Sequence, residues 1–297
     1  MAIKLLAMVI ALAVAHTLPD LARLRQFHWL AGWAGALTGL FGGQAWFAGG
    51  LGAALVVGLP ALAMFGLQQA LADAVFGLAS LALAVATLFY CWGPRDLDLD
   101  VDAVAHAPDA ERRRAALSLL GPGDAAPRID GTLLVDAVFQ SALTRWFGVL
   151  LWFVVLGPAG ALLYRMADLV GRRPGFAETT PPAITAASAQ LARLLEWPAA
   201  HLVTLALAIA ADFDAVAAAW RDWHAARRES GGAGLDPGFL RAAARASVDA
   251  DIDVGEDYVD DARGPIAEMQ EAMALAWRVL VVWGVVLALF VLAGRIG

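Results

Sequence analysis

The chain has almost no cysteine and almost no lysine: Cys91 and Lys4 are the single copies of each. One thiol cannot close an intrachain bridge, so no disulfide framework holds this protein together. With one lysine, no Gly-x-x-x-x-Gly-Lys phosphate loop is present, and no Gly-x-Ser-x-Gly nucleophile elbow is found either. The five histidines, at positions 16, 28, 106, 201 and 224, have no metal-ligand spacing, and Cys91 has no partner cysteine. No metal or other cofactor is therefore expected. Basic residues are in the minority, with 21 Lys and Arg against 28 Asp and Glu, which argues against a nucleic-acid partner.

Charge itself is scarce. Charged residues are 16% of the chain and apolar residues 60%, against about 25% and 45–50% in soluble domains. Residues 5–19, 26–72, 74–92, 146–164 and 279–294 contain no Asp, Glu, Lys or Arg. A soluble core cannot bury so many consecutive apolar residues, whereas a bilayer accepts them, because a span needs roughly 20. The lipid bilayer is thus the first partner. The expected fold is all-α: a polytopic helical membrane protein with four spans, a broken or re-entrant middle segment and two helical cytoplasmic regions.

In this reading residues 1–92 form an N-terminal membrane region with spans at about 3–18, 50–67 and 74–92. Residues 93–145 form a first polar region, and 146–211 a broken, re-entrant and interfacial region. An acidic region follows at 212–276 and a last span at 277–297. Lys4, the apolar run after it and Ala13-Val14-Ala15 also have the look of a cleavable leader; the retained span is favoured because further membrane runs follow. Trp46, Trp92, Trp146 and Trp277 fall near span ends, where an interfacial aromatic belt is expected. Residues 93–145 hold six arginines and 212–278 hold seven, which places both regions in the cytoplasm. The N-terminus and the C-terminal tail then lie outside.

Two acidic patterns invite a calcium reading. In Asp96-Leu-Asp-Leu-Asp-Val-Asp102 the sixth position lacks glycine. In the run from Asp249 to Asp260 the glycine falls at position seven and Asp260 stands where a bidentate Glu is needed. Neither fits the loop geometry, and residues 249–261 are expected to be a mobile acidic linker.

The middle segment carries the strongest local signal. Gly157-Pro158-Ala159-Gly160 should break a helix, because Pro158 has no N–H to give. Tyr164, Arg165 and Asp168 follow on adjacent turns, and Arg165 and Asp168 are spaced to pair. Arg165 is costly in lipid, and intramembrane charges mark functional sites by default. Candidate functional residues are therefore Gly157, Pro158, Tyr164, Arg165 and Asp168, with Arg95, Asp96 and Trp197 from motifs on either side. No catalytic residue is assigned.

Several segments in register with the spans carry a family likeness. They are Cys91-Trp-Gly-Pro-Arg-Asp-Leu-Asp98, Phe139-Gln-Ser-Ala-Leu143, Leu156-Gly-Pro-Ala-Gly-Ala-Leu-Leu-Tyr-Arg165 and Leu194-Leu-Glu-Trp-Pro-Ala-Ala200, followed by a final Trp-rich span. Together they resemble the AmpE family, within a wider superfamily that includes the cobalamin-biosynthesis proteins CobD and CbiB. The resemblance implies a multi-pass protein of the bacterial inner membrane that modulates β-lactamase induction under cell-wall stress. It would respond to a protein partner or a cell-wall-derived signal, and the resemblance assigns it no defined enzymatic activity. The synthase branch instead joins a corrinoid acid to an amino-alcohol phosphate using ATP. Its pattern has Asn-Thr-Leu-Asp after the Tyr-Arg, where this chain has Met166-Ala-Asp-Leu169. A corrinoid amide synthase and a small transporter are the alternative readings.

Overall fold

The computed structural model describes residues 2–17, 25–72, 77–93, 96–120, 129–230, 235–255 and 264–294. Among these residues every regular element is a helix, as the charge-free runs and 3.6-residue patterning require. Four helices are long and apolar enough to cross a membrane: α3 (Gly50–Ala70), α7 (Gly131–Leu156), α10 (Pro182–Ala210) and α13 (Pro265–Leu292). At 21 to 29 residues each, they reach about 30 Å or more. The chain is an all-α polytopic membrane protein.

The long helices are not the set expected from the runs. Residues 3–18 correspond to α1 (Ala2–Thr17), and 74–92 to the 14-residue α4 (Leu78–Cys91). Residues 197–210 do not form a helix of their own. They are the second half of α10, which runs through Pro198. One proline removes one backbone donor, and a helix this long tolerates the loss. The glycine-rich stretch after Ala31 is likewise helical, as α2 (His28–Phe41).

Two compact units divide the chain. The first comprises residues 1–94, 148–195 and 291–297, and the second 95–147 and 196–290. In the first, α1 packs on α4, and α8 (Pro158–Arg172) packs on α3, on α4 and back along the 148–156 part of α7. α1 is therefore an integral part of this unit's core. A short α9 (Pro174–Ala177) follows α8. Close approach rests on small residues: a side chain on Gly171 would meet the backbone nitrogen of Ala189 at 2.4 Å.

In the second unit the short helices begin where the sequence supplies caps. Asp109 accepts from the Arg112 amide at 2.7 Å to start α6 (Ala110–Leu120), and Asp212 accepts from the Ala215 amide at 2.9 Å to start α11 (Phe213–Glu229). Asp130 does the same for α7 through the Leu133 amide. α5 (Leu97–Ala105) carries Asp98 and Asp100 in its first turn, where acids suit the helix dipole. α12 (Gly238–Gly255) packs on α11 and on the first part of α7. The expected acidic linker at 249–261 starts inside α12; beyond residue 255 it lies outside the described residues.

Two of the four tryptophans expected at the membrane surface are core residues instead. Trp92 is 5% exposed and Trp146 2%. The Trp146 ring lies 5.1 Å from that of Trp277, whose indole nitrogen donates to Asp98 at 2.7 Å. Trp46 is exposed, as a belt residue should be. Nearness to a span end does not say which face of the helix a ring occupies.

Candidate functional site

The helix break forms where the sequence places it. Gly157 has φ +74°, a conformation open to glycine, and a side chain there would strike the Gln68 amide oxygen at 2.7 Å. Pro158 then opens α8 at its first position, where a missing N–H costs least. The turn is tight: a side chain on Gly160 would meet the Trp152 carbonyl oxygen at 2.2 Å.

A helix that stops at Leu156 leaves carbonyls without amide partners. In a continuous helix the Val154 carbonyl would bond the amide of residue 158, but that residue is proline. The Lys4 ammonium fills the gap, donating to Val154 O at 2.8 Å. The chain's single lysine thus serves the end of a helix 150 residues away.

Arg165 does a related job. It is 1% exposed, donates through Nε to the Cys91 carbonyl at 2.8 Å and pairs through Nη1 with Asp168 at 3.1 Å. Cys91 is the last residue of α4. A cation on the final carbonyl of a helix satisfies an orphan acceptor and meets the negative end of the dipole. The other oxygen of Asp168 takes Arg172 at 3.2 Å. Tyr164 is fully buried and lies against Gly148, where a side chain would meet its ring at 2.4 Å. Gly157, Pro158, Tyr164, Arg165 and Asp168 therefore belong to one constellation in the first unit, and its arginine bolts α8 to the end of α4.

Asp96 stands in extended backbone at the head of α5 and Trp197 on α10, both in the second unit, while Arg95 lies outside the described residues. The Trp197 ring packs tilted against His201, with ring centroids 4.2 Å apart. Among the described residues no group of three His, Cys, Asp or Glu side chains converges as a metal set.

Two of the ion pairs in the second unit that sequence reasoning missed join separate helices or helix segments. Arg145 pairs with the buried Asp100 at 2.6 Å and donates to the Leu119 carbonyl at 2.6 Å. Arg145 belongs to a turn of α7, Leu143–Phe147, that is widened to the i→i+5 pattern, a distortion frequent at functional positions. Arg245 on α12 grips both oxygens of Asp136 on α7, and this raises the arginine's pKa. The only advance signal was Asp100 within the alternating acids; nothing in the sequence named its partner.

No curated protein and no solved structure matches the chain. Residues 6–249 match the family described as CobD/Cbib protein. The match covers most of both units, including the helix break, Arg165, Asp168 and Trp197, and by it the chain belongs to the CobD/Cbib family.

Proposed function

We propose that the chain serves corrinoid amide formation at the bacterial inner membrane, joining a carboxyl of a corrinoid acid to the amine of an amino-alcohol phosphate with ATP as the energy source. The observation that carries this reading is the family match over residues 6–249. The two arginine-rich polar regions would face the cytoplasm, where ATP is available.

A second reading is a signalling modulator of β-lactamase induction. The use made of Arg165 favours it. In an enzyme site a buried arginine would be turned toward substrate; here it is engaged by the Cys91 carbonyl and Asp168 inside the fold. The Met166-Ala-Asp-Leu169 that follows also departs from the polar pattern of the synthase branch.

One experiment separates the two. Deleting the gene should create a requirement for an added, completed corrinoid; unchanged corrinoid formation overturns the first reading. A changed level of β-lactam-induced β-lactamase in the same strain would support the second. For orientation, reporter fusions after residues 120 and 235 should both read as cytoplasmic, and a periplasmic signal at either refutes the arrangement.

A further inference from the structure

The second unit contains a cavity of about 210 Å³ lined by Trp197, Trp223, His224, Phe239 and the side chains of Arg227, Arg228 and Asp236. Its walls are rings in mutual contact. His224 lies 4.8 Å from Trp223 and 5.6 Å from Phe239, and Trp223 lies 5.6 Å from Phe239. Behind these rings His201 lies 4.2 Å from Trp197 and 4.3 Å from Phe239. Gly238 makes this possible, since a side chain there would meet the Trp223 indole nitrogen at 2.9 Å.

The polar rim is not neutral. Asp236 already has two cations, Arg227 at 3.3 Å and Arg241 at 3.5 Å, and its other duty is to cap the Gly238 amide at 3.0 Å. Arg227 also lies over the Trp223 ring, 5.0 Å from its centroid. Arg228 is different: it donates Nε to the His224 carbonyl at 3.2 Å and forms no ion pair among the described residues. Its exposed terminal nitrogens leave one planar, two-pronged cation beside an aromatic slot, in a chain whose net charge is −7.

We propose that this cavity binds a small flat anion, of the class of single-ring aromatic carboxylates. The half-exposed Trp197 ring supplies the apolar wall for the flat face, and the Arg228 fork takes the carboxylate with two parallel hydrogen bonds. Size sets the limit: about 210 Å³ is little more than the roughly 150 Å³ that takes one benzene ring, so the space suits a single substituted ring rather than a macrocycle. The site is thus separate from either functional reading and stands whichever of them holds.

The test is calorimetric titration of the full chain in detergent with three probes: benzoate, its neutral isostere benzamide and inorganic phosphate. Benzoate should bind saturably, with a Kd on the order of 1 mM or tighter. Benzamide should bind at least about tenfold more weakly, because it lacks the charge that the guanidinium recognises. Arg228→Gln should erase that difference without altering the melting temperature, since the side chain is exposed. Arg112→Gln, an exposed control on α6, should change nothing. The proposal is overturned by no saturable binding of benzoate, by equal binding of benzamide, by an unaffected Arg228→Gln variant, or by phosphate displacing benzoate at equal concentration, which would mean that the cations bind without the rings.

Discussion

Replacing Arg165 by alanine tests whether this residue is a structural bolt. Its guanidinium is 1% exposed and joins the end of α4, through the Cys91 carbonyl, to Asp168 on α8. Breaking a buried pair by removing one partner costs about 3–5 kcal/mol, because the other charge stays behind uncompensated. Arg172 still holds the second oxygen of Asp168, so the lower end, about 3 kcal/mol, is expected. That is a large part of the roughly 5–15 kcal/mol that keeps a domain folded, and corresponds to a fall in melting temperature of about 6–12 °C. Arg165→Lys should recover part of the loss, since an ammonium can reach one acceptor but cannot reproduce the planar fork. The double variant Arg165→Ala with Asp168→Ala should cost less than the sum of the single changes, by about 1 kcal/mol or more, because it leaves no unpaired acid. The assay is thermal denaturation in detergent, followed by retention on size exclusion. If Arg165→Ala melts within about 1 °C of the parent protein while its activity in cells disappears, the bolt argument fails and Arg165 is a functional group.

Lys4→Met should lower stability by about 1–3 kcal/mol, the cost of leaving the Val154 carbonyl unsatisfied, whereas Ile3→Met at an exposed position should be neutral; equal melting of the two variants refutes the assignment. Gly148→Ala should cost about 1–3 kcal/mol by overpacking against the buried Tyr164 ring, read by the same melt. The Thr132 hydroxyl and the Leu133 amide hold the Asp130 carboxyl below the usual carboxylate range. Its contribution to the start of α7 is therefore present at and above the ordinary carboxylate pKa and is lost as pH falls through the lowered value in the folded state. Asp130→Asn should remove part of the acid-induced loss of stability below about pH 4, and an unchanged acid profile would count against the cap.

What could be read in advance, and what could not, divides along a physical line. The membrane class and the break at Gly157-Pro158 were legible because they depend on runs and on local backbone chemistry. The Arg165–Asp168 pair was legible because three residues on a helix set the distance. The acceptor at Cys91 was not: it lies 74 residues away in sequence, and any carbonyl at any helix end could have served. Arg145 with Asp100 and Lys4 with Val154 fail for the same reason. Trp92 and Trp146 misled because position along a span was read and position around it was not.

A common pattern links three cations whose carbonyl acceptors sequence reasoning could not name. Lys4 ends on the Val154 carbonyl in the last turn of α7, Arg165 on Cys91 at the end of α4, and Arg145 on Leu119 at the end of α6. Each bond lies within one unit, and each meets an acceptor that its own helix cannot satisfy. A chain with so few charges and so many apolar helix ends uses cations to close them, because an unmet carbonyl away from water costs several kcal/mol. This changes how a buried charge should be weighed in such a protein. An arginine in an apolar helix suggests function by default, but that inference weakens once the guanidinium is found on a terminal carbonyl. Arg228 differs on this point. It bonds a carbonyl within its own helix, carries no carboxylate partner among the described residues and borders an aromatic cavity. Under the proposal made above, Arg228 would be the charge placed to meet a ligand, while the role of Arg165 is decided by its alanine variant.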